Sequence, residues 1–246
     1  MGEHETQRYI AELLRALIVY WFALHKRVAH VGANQFVYRL EGHPEVSRAP
    51  DVYVIEGLPQ DHPDQTVWKT WEGHVPVFAL EVVSARWHKD YDDAPADYDA
   101  MGTRELILFD PGATARSRKR VRWQVFRRVR DKLRRVVTSR ADRVESRYLG
   151  CVVRAVTDRG NVRLRLATGR QGETLVPTEA ERLDEAERRA LTERIARETL
   201  ALQWQNERDA RNEAEARAQN ERDARNEAEA ALARARDELE RLRREH

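Results

Sequence analysis

Apolar positions divide the chain into three textures. Over residues 5–24, Leu13, Leu14, Leu17, Ile18 and Trp21 recur at spacings of three and four, which predicts an amphipathic to buried helix. From residue 34 the pattern shortens into the runs NQFVYRL, DVYVIEG, VPVFALEVVS, RELILFDP, RWQVFRRV and RAVTDRGNVRLRLA. Their β-branched and aromatic content, and the Gly, Pro and Asp that bound them, predict strands. Between the third and fourth runs lies WHKDYDDAPADYDAMG, where Pro95 is expected to open a helix that stops at Gly102. Helix, strands, helix, strands is the order of a mixed α/β sheet with helices packed against it.

The third texture begins at Thr178. The last 69 residues are built almost wholly from Ala, Glu, Arg, Asn, Asp, Gln and Leu and contain no Gly or Pro, a composition that cannot form a globular core. Thr178 followed by Glu181 three residues on reads as a capping box. QNERDARNEAEA occurs at 205–216 and again at 219–230, a period of 14 residues, so each copy presents the same helix face. Glu207–Arg211, Glu213–Arg217 and Glu221–Arg225 are i,i+4 pairs in the favourable order. Ala228, Leu232, Ala235, Leu239 and Leu242 keep the four-three spacing of a coiled-coil seam. The expected organisation is a globular body over 1–177 and a helical or coiled-coil tail over 178–246.

Composition then narrows the function classes. A single cysteine, Cys151, excludes an intramolecular disulfide and a multi-cysteine zinc site. The longest apolar stretch, LLRALIVYWFAL at 13–24, is too short for the roughly 20 residues of a membrane span, and no signal-peptide pattern precedes it. The expectation is a cytoplasmic protein without a membrane partner. Charge is segregated: residues 116–170 hold 19 Lys and Arg against 4 Asp and Glu. Such a segment suits a polyanion, or forms the solvated outer face of a sheet. Within it Arg118, Lys119, Arg120 and Arg122 are candidates for contacting phosphates without reading sequence.

Glu81 stands out, a carboxylate inside the apolar run VPVFALEVVS. Removing it from water costs several kcal/mol unless a metal or a lysine meets it, or the strand end leaves it exposed. Asp51 lies at the start of DVYVIEG, and neighbouring strands could bring the two carboxylates together. Two converging carboxylates with room for water are what magnesium requires, and a metal held there would activate water for attack on a phosphate.

The order APDVYV, WKTWE, VPVFALEVVS, an acidic segment with KDY, and DYDAMGTRELILFDP resembles the Uma-two family of restriction endonucleases in the PD-(D/E)xK nuclease superfamily. The resemblance covers roughly residues 5–170 and is strongest from 50 to 111. It implies a restriction-endonuclease-like mixed sheet flanked by helices, with DNA as substrate and Mg2+ or Mn2+ as cofactor. It also implies Asp51 and Glu81 as metal ligands. The superfamily's lysine two residues after the glutamate is replaced by Val83, and the helix position to which the family moves it is Ala94. Lys89 is the nearest substitute, eight residues beyond Glu81. Glu12 on the first helix is a candidate for orienting water, and His88 for a base or ligand, unless it packs on Trp87. A rival expectation is a nuclease fold without catalysis that binds nucleic acid or serves as a coiled-coil scaffold. A self-associating tail would make the protein a homo-oligomer.

Overall fold

A computed structural model describes residues 3–63, 66–114, 116–158 and 160–244. Helix α1 (Glu3–Leu24) precedes β1 (Ala29–Gly32), β2 (Phe36–Tyr38), β3 (Ser47–Arg48), β4 (Val52–Glu56), β5 (Val67–Lys69) and β6 (Phe78–Val82). Helix α2 (Trp87–Met101) leads into β7 (Glu105–Phe109), β8 (Trp123–Val129), β9 (Lys132–Ser139) and β10 (Arg143–Ser146). After β11 (Cys151–Asp158), β12 (Asn161–Thr168) and β13 (Thr174–Leu175) comes the long helix α3 (Glu179–Arg244). The chain divides into two units, Met1–Ala180 and Glu181–His246.

The first unit is mixed α/β. Its central sheet has the order β1-β4-β6-β7-β8-β9. The β6–β7 pair is parallel, and the other neighbours in that sheet are antiparallel. A parallel pair needs a crossover, and α2 supplies it. A four-stranded sheet, β10-β11-β12-β13, and a three-stranded sheet, β3-β2-β5, complete the unit.

Alternation along the central strands sorts their side chains into two cores. Val52, Val54, Phe78, Leu80, Val82, Ile107 and Phe109 pack with Ile10, Leu14 and Ile18 of α1 and with Val153, Leu164 and Leu166 of the four-stranded sheet. Tyr53, Ile55, Ala79, Val83, Leu106 and Leu108 face the other way, against Ala94, Tyr98 and Met101 of α2 and Val37 and Trp68. Strands covered on both faces read as near-continuous apolar runs, which is why FALEVV contains so little polarity. Glu105 ties the layers together at the start of β7. It accepts hydrogen bonds from Arg127 Nε, Ser146 Oγ and the Arg147 and Tyr148 backbone amides.

Two expectations need correction. Helix α2 begins at Trp87, so Pro95 lies inside it instead of opening it. Asp90 fixes the earlier start: its Oδ2 accepts from both Ser84 N and Ser84 Oγ at 2.8 Å, and a carboxylate in the first turn is favoured by the helix dipole. The expected stop holds, with Gly102 at φ 91°, a conformation that favours glycine. In the tail, Arg217 pairs with Glu213, but Arg211 and Arg225 turn to Glu215 and Glu229 at 3.0 and 3.1 Å, not to Glu207 and Glu221. Each arginine has a carboxylate four residues away on both sides, and the exposed alternatives differ by only tenths of a kcal/mol.

Helix α3 is 66 residues long. Its large apolar residues, including Leu191, Ile195, Leu202, Trp204, Leu232 and Leu239, are exposed. The side chain of Leu242 falls outside those described. Among the described residues, no helix is long and apolar enough to cross a membrane.

Candidate active site

Strand register creates the site. Strands β4 and β6 are antiparallel, with Val52 opposite Leu80 and Tyr53 opposite Ala79. Continued by one residue, this register sets Asp51 opposite Glu81. Alternation then turns both side chains to the face covered by α2, the face of Tyr53 and Ala79. Asp51 Oδ2 accepts from the Val82 amide at 2.7 Å. Glu81 Oε1 accepts from the Tyr98 hydroxyl, also at 2.7 Å. Glu81 is 15% exposed, and Arg48 Nε stands 3.7 Å from its Oε1.

These surroundings oppose ionisation. Burial raises both carboxyl groups above the usual carboxylate range, and the Asp51 charge raises Glu81 further. Arg48 and the Tyr98 hydroxyl pull Glu81 back in part, while hydrogen bonds from Val82 and Glu81 do the same for Asp51. Burial, followed by the Glu81 charge, holds the Tyr98 hydroxyl well above its ordinary value, so it remains a donor.

A cleft of about 420 Å³ between α1, β3 and the start of α2 is lined by Gln7, Arg48, Ser84, Arg86, Lys89 and Asp90; the carboxylates themselves do not line it, and Arg48 stands between the cleft and Glu81. Lys89 is exposed on its wall, and the ion pair of Glu81 goes to Arg48 instead. Helix α1 contributes Gln7, whose Nε2 donates to the Val82 carbonyl at 3.2 Å. The expectation for Glu12 is therefore corrected. Gln7 lies on the same helical stripe as the buried Ile10, Ala11 and Leu14, whereas Glu12 points outward, 61% exposed and 3.7 Å from Arg8. His88 is exposed and stacks on Trp87 with ring centroids 3.5 Å apart. Ala94 is fully buried between Asp90 and Tyr98 on α2 and brings no amine to the site.

The basic segment enters at the same end of the sheet. Because Val82 is opposite Phe109 in the parallel pair, the connection after β7 emerges beside the carboxylates. Tyr91 of α2 fastens it by donating to Asp110 Oδ2 at 2.7 Å. Arg118 and Lys119 are exposed on this connection. Arg120 is not available in the same way, because it makes a bidentate contact at 2.8 and 2.6 Å with the fully buried Asp110. Arg122 is half-buried, and its carbonyl accepts from Asp110 N.

Sequence reasoning missed Arg48 and Gln7. Neither lies in a motif, and each comes to the site through tertiary packing. The larger opening, about 670 Å³ around Arg104, Glu105, Arg127 and Arg147, is at the other end of β7. The hydrogen bonds to Glu105 make it a structural junction.

Among the described residues no cluster of three or more His, Cys, Asp or Glu could hold a metal. The donor set at Asp51 and Glu81 is two hard carboxylates, which fits a magnesium-type ion that keeps several waters.

A family model described as "Uma2: Putative restriction endonuclease" matches residues 1–153. Among solved structures, one described as a "putative nuclease belonging to DUF820 from Anabaena variabilis" aligns at 13% identity and a TM-score of 0.38, covering 61% of this chain and 75% of that one. No curated protein matches the chain.

The raised carboxyls have a consequence for stability. A carboxyl that holds its proton more tightly when folded stabilises the fold in acid, and that contribution is lost as pH rises above about 4. Without divalent metal, Glu81→Gln is expected to melt a few degrees above the wild type at pH 8, with the difference shrinking towards pH 4. Thermal unfolding across this range checks it, and a difference that does not change with pH would contradict the account.

Proposed function

Because the chain belongs to the Uma2 family, we propose that it is a metal-dependent endonuclease that hydrolyses phosphodiester bonds in DNA. The observation that carries this reading is the convergence of Asp51 and Glu81 across β4 and β6, at the end of the sheet where β6 leads to the cleft and β7 to an exposed basic connection. Asp51 and Glu81 would hold Mg2+ or Mn2+. A divalent ion there supplies Lewis-acid polarisation of a phosphate oxygen and a more acidic bound water.

The protein's own groups divide the remaining work. The Val82 amide and the Tyr98 hydroxyl fix one oxygen of each carboxylate. Lys89, exposed at the cleft wall, adds positive charge where a phosphate would enter. Arg118 and Lys119 neutralise the DNA backbone, a contribution that weakens with salt and reads no sequence. In the reaction one water is consumed: its oxygen bonds to phosphorus, the ester P–O bond breaks, and the leaving oxygen takes a proton.

Ala94 favours a second reading, in which the fold binds nucleic acid without cleaving it. The exposed leucines of α3, with Leu232 and Leu239 at seam spacing, support self-association through the tail.

DNA cleavage with Mg2+ or Mn2+ separates the first two readings. Asp51→Asn and Glu81→Gln are each expected to reduce the rate on the order of a hundredfold or more. Wild-type cleavage no greater than that of Glu81→Gln on several DNA forms would leave the binding reading in place. For the tail, analytical ultracentrifugation is expected to show an oligomer that Leu232→Asp with Leu239→Asp converts to a monomer. A wild-type monomer would rule out self-association.

A further inference from the structure

The half-buried carboxylate pair is faced by a cation that stands at ion-pair distance without closing a hydrogen bond. Among the described residues, Arg48 supplies the basic nitrogen within 4 Å of Glu81. Its Nε lies 3.7 Å from Glu81 Oε1 and 3.5 Å from Asp97 Oδ2 on α2. Its guanidinium carbon lies 5.9 Å from the ring centroid of Tyr98, the residue that donates to Glu81. The backbone beneath it is pinned by pairing with Val37 on β2. The side chain is 16% exposed and lines the cleft.

Charge is paired here, but hydrogen bonding is incomplete. Arg120 closes on Asp110 at 2.6–2.8 Å, as a committed guanidinium–carboxylate fork does. Arg48 stays beyond that range from both of its carboxylates, and its buried Nε has no hydrogen-bond partner among the described residues. A buried donor left in this way is costly until an acceptor arrives. An anionic group with several oxygens, entering the cleft that Arg48 lines, matches the planar donor fork of arginine.

We propose that Arg48 is the residue through which the site engages the scissile phosphate, stabilising the negative charge that builds on its oxygens during attack. The proposal rests on the nuclease reading and specifies where that site holds its substrate. Arginine remains protonated throughout, so Arg48 neither takes the proton of the attacking water nor supplies one to the leaving oxygen. Its contribution is electrostatic, supplied from β3 to a site to which Ala94 brings no amine.

The test compares wild type, Arg48→Ala, Arg48→Lys and Glu81→Gln for Mg2+-dependent cleavage of duplex DNA, with and without guanidinium chloride below denaturing concentration. Mn2+ affinity is measured in parallel by electron paramagnetic resonance. Arg48→Ala is expected to lose on the order of 10²–10³ in kcat, with Arg48→Lys between it and the wild type. Guanidinium is expected to restore part of the rate to Arg48→Ala and none to Glu81→Gln. Mn2+ is expected to bind Arg48→Ala at least as tightly as wild type, because a neighbouring positive charge has been removed. Wild-type kcat in Arg48→Ala, together with loss in Glu81→Gln, overturns the assignment and leaves the nuclease reading standing. Joint loss of Mn2+ binding and cleavage in Arg48→Ala, without rescue, makes Arg48 a structural counter-ion and also overturns it. Wild-type cleavage no greater than that of Glu81→Gln removes the nuclease reading and this assignment with it.

Discussion

The antiparallel register between β4 and β6 is the constraint on which the site depends. With Val52 opposite Leu80, Asp51 must stand opposite Glu81, and the two-residue period of a strand sends both carboxylates to the α2 face. A slip of one residue would place one of them among the packed side chains of the α1 face. The apolar residues on either side of each acid fix this register. Phe78, Leu80 and Val82 belong to one core, and Ala79 and Val83 to the other.

Such a register carries an energetic penalty. Two carboxyls held together against an apolar layer resist ionisation, and the surrounding structure offsets the penalty only in part. Tyr98 donates to Glu81, the Val82 amide donates to Asp51, and Arg48 supplies charge without a closed hydrogen bond. Each comes from a different element. The arrangement therefore exists only when α2, β3 and the central sheet have all docked. On the proposed reading, this incomplete compensation is what makes the pair receptive to a divalent cation.

Much of the fold was legible because the central strands are long apolar runs and α1 keeps a strong helical period. Strand β9, KLRRVVTS, was not, because it is an edge strand whose residues are mostly exposed and whose arginines blur the alternation. The start of α2 was missed for a related reason. Pro95 is a conspicuous local signal, whereas the side-chain bonds from Ser84 to Asp90 are visible only in three dimensions. At the site, Asp51 and Glu81 could be singled out from their places at strand ends. On α1 the carboxylate Glu12 is the conspicuous polar residue, whereas the helical stripe places Gln7 inward. Arg48 sits on a two-residue strand in a segment with no periodicity, and no sequence pattern marks it as the partner of a residue 33 positions away.

The most direct measurement of the central claim is anomalous diffraction from crystals soaked in Mn2+. The account predicts a peak between the Asp51 and Glu81 carboxylates, lost in Glu81→Gln crystals soaked in the same way. A wild-type crystal with ordered side chains at both positions and no anomalous density between them, under soaking conditions in which the protein cleaves DNA, would contradict it.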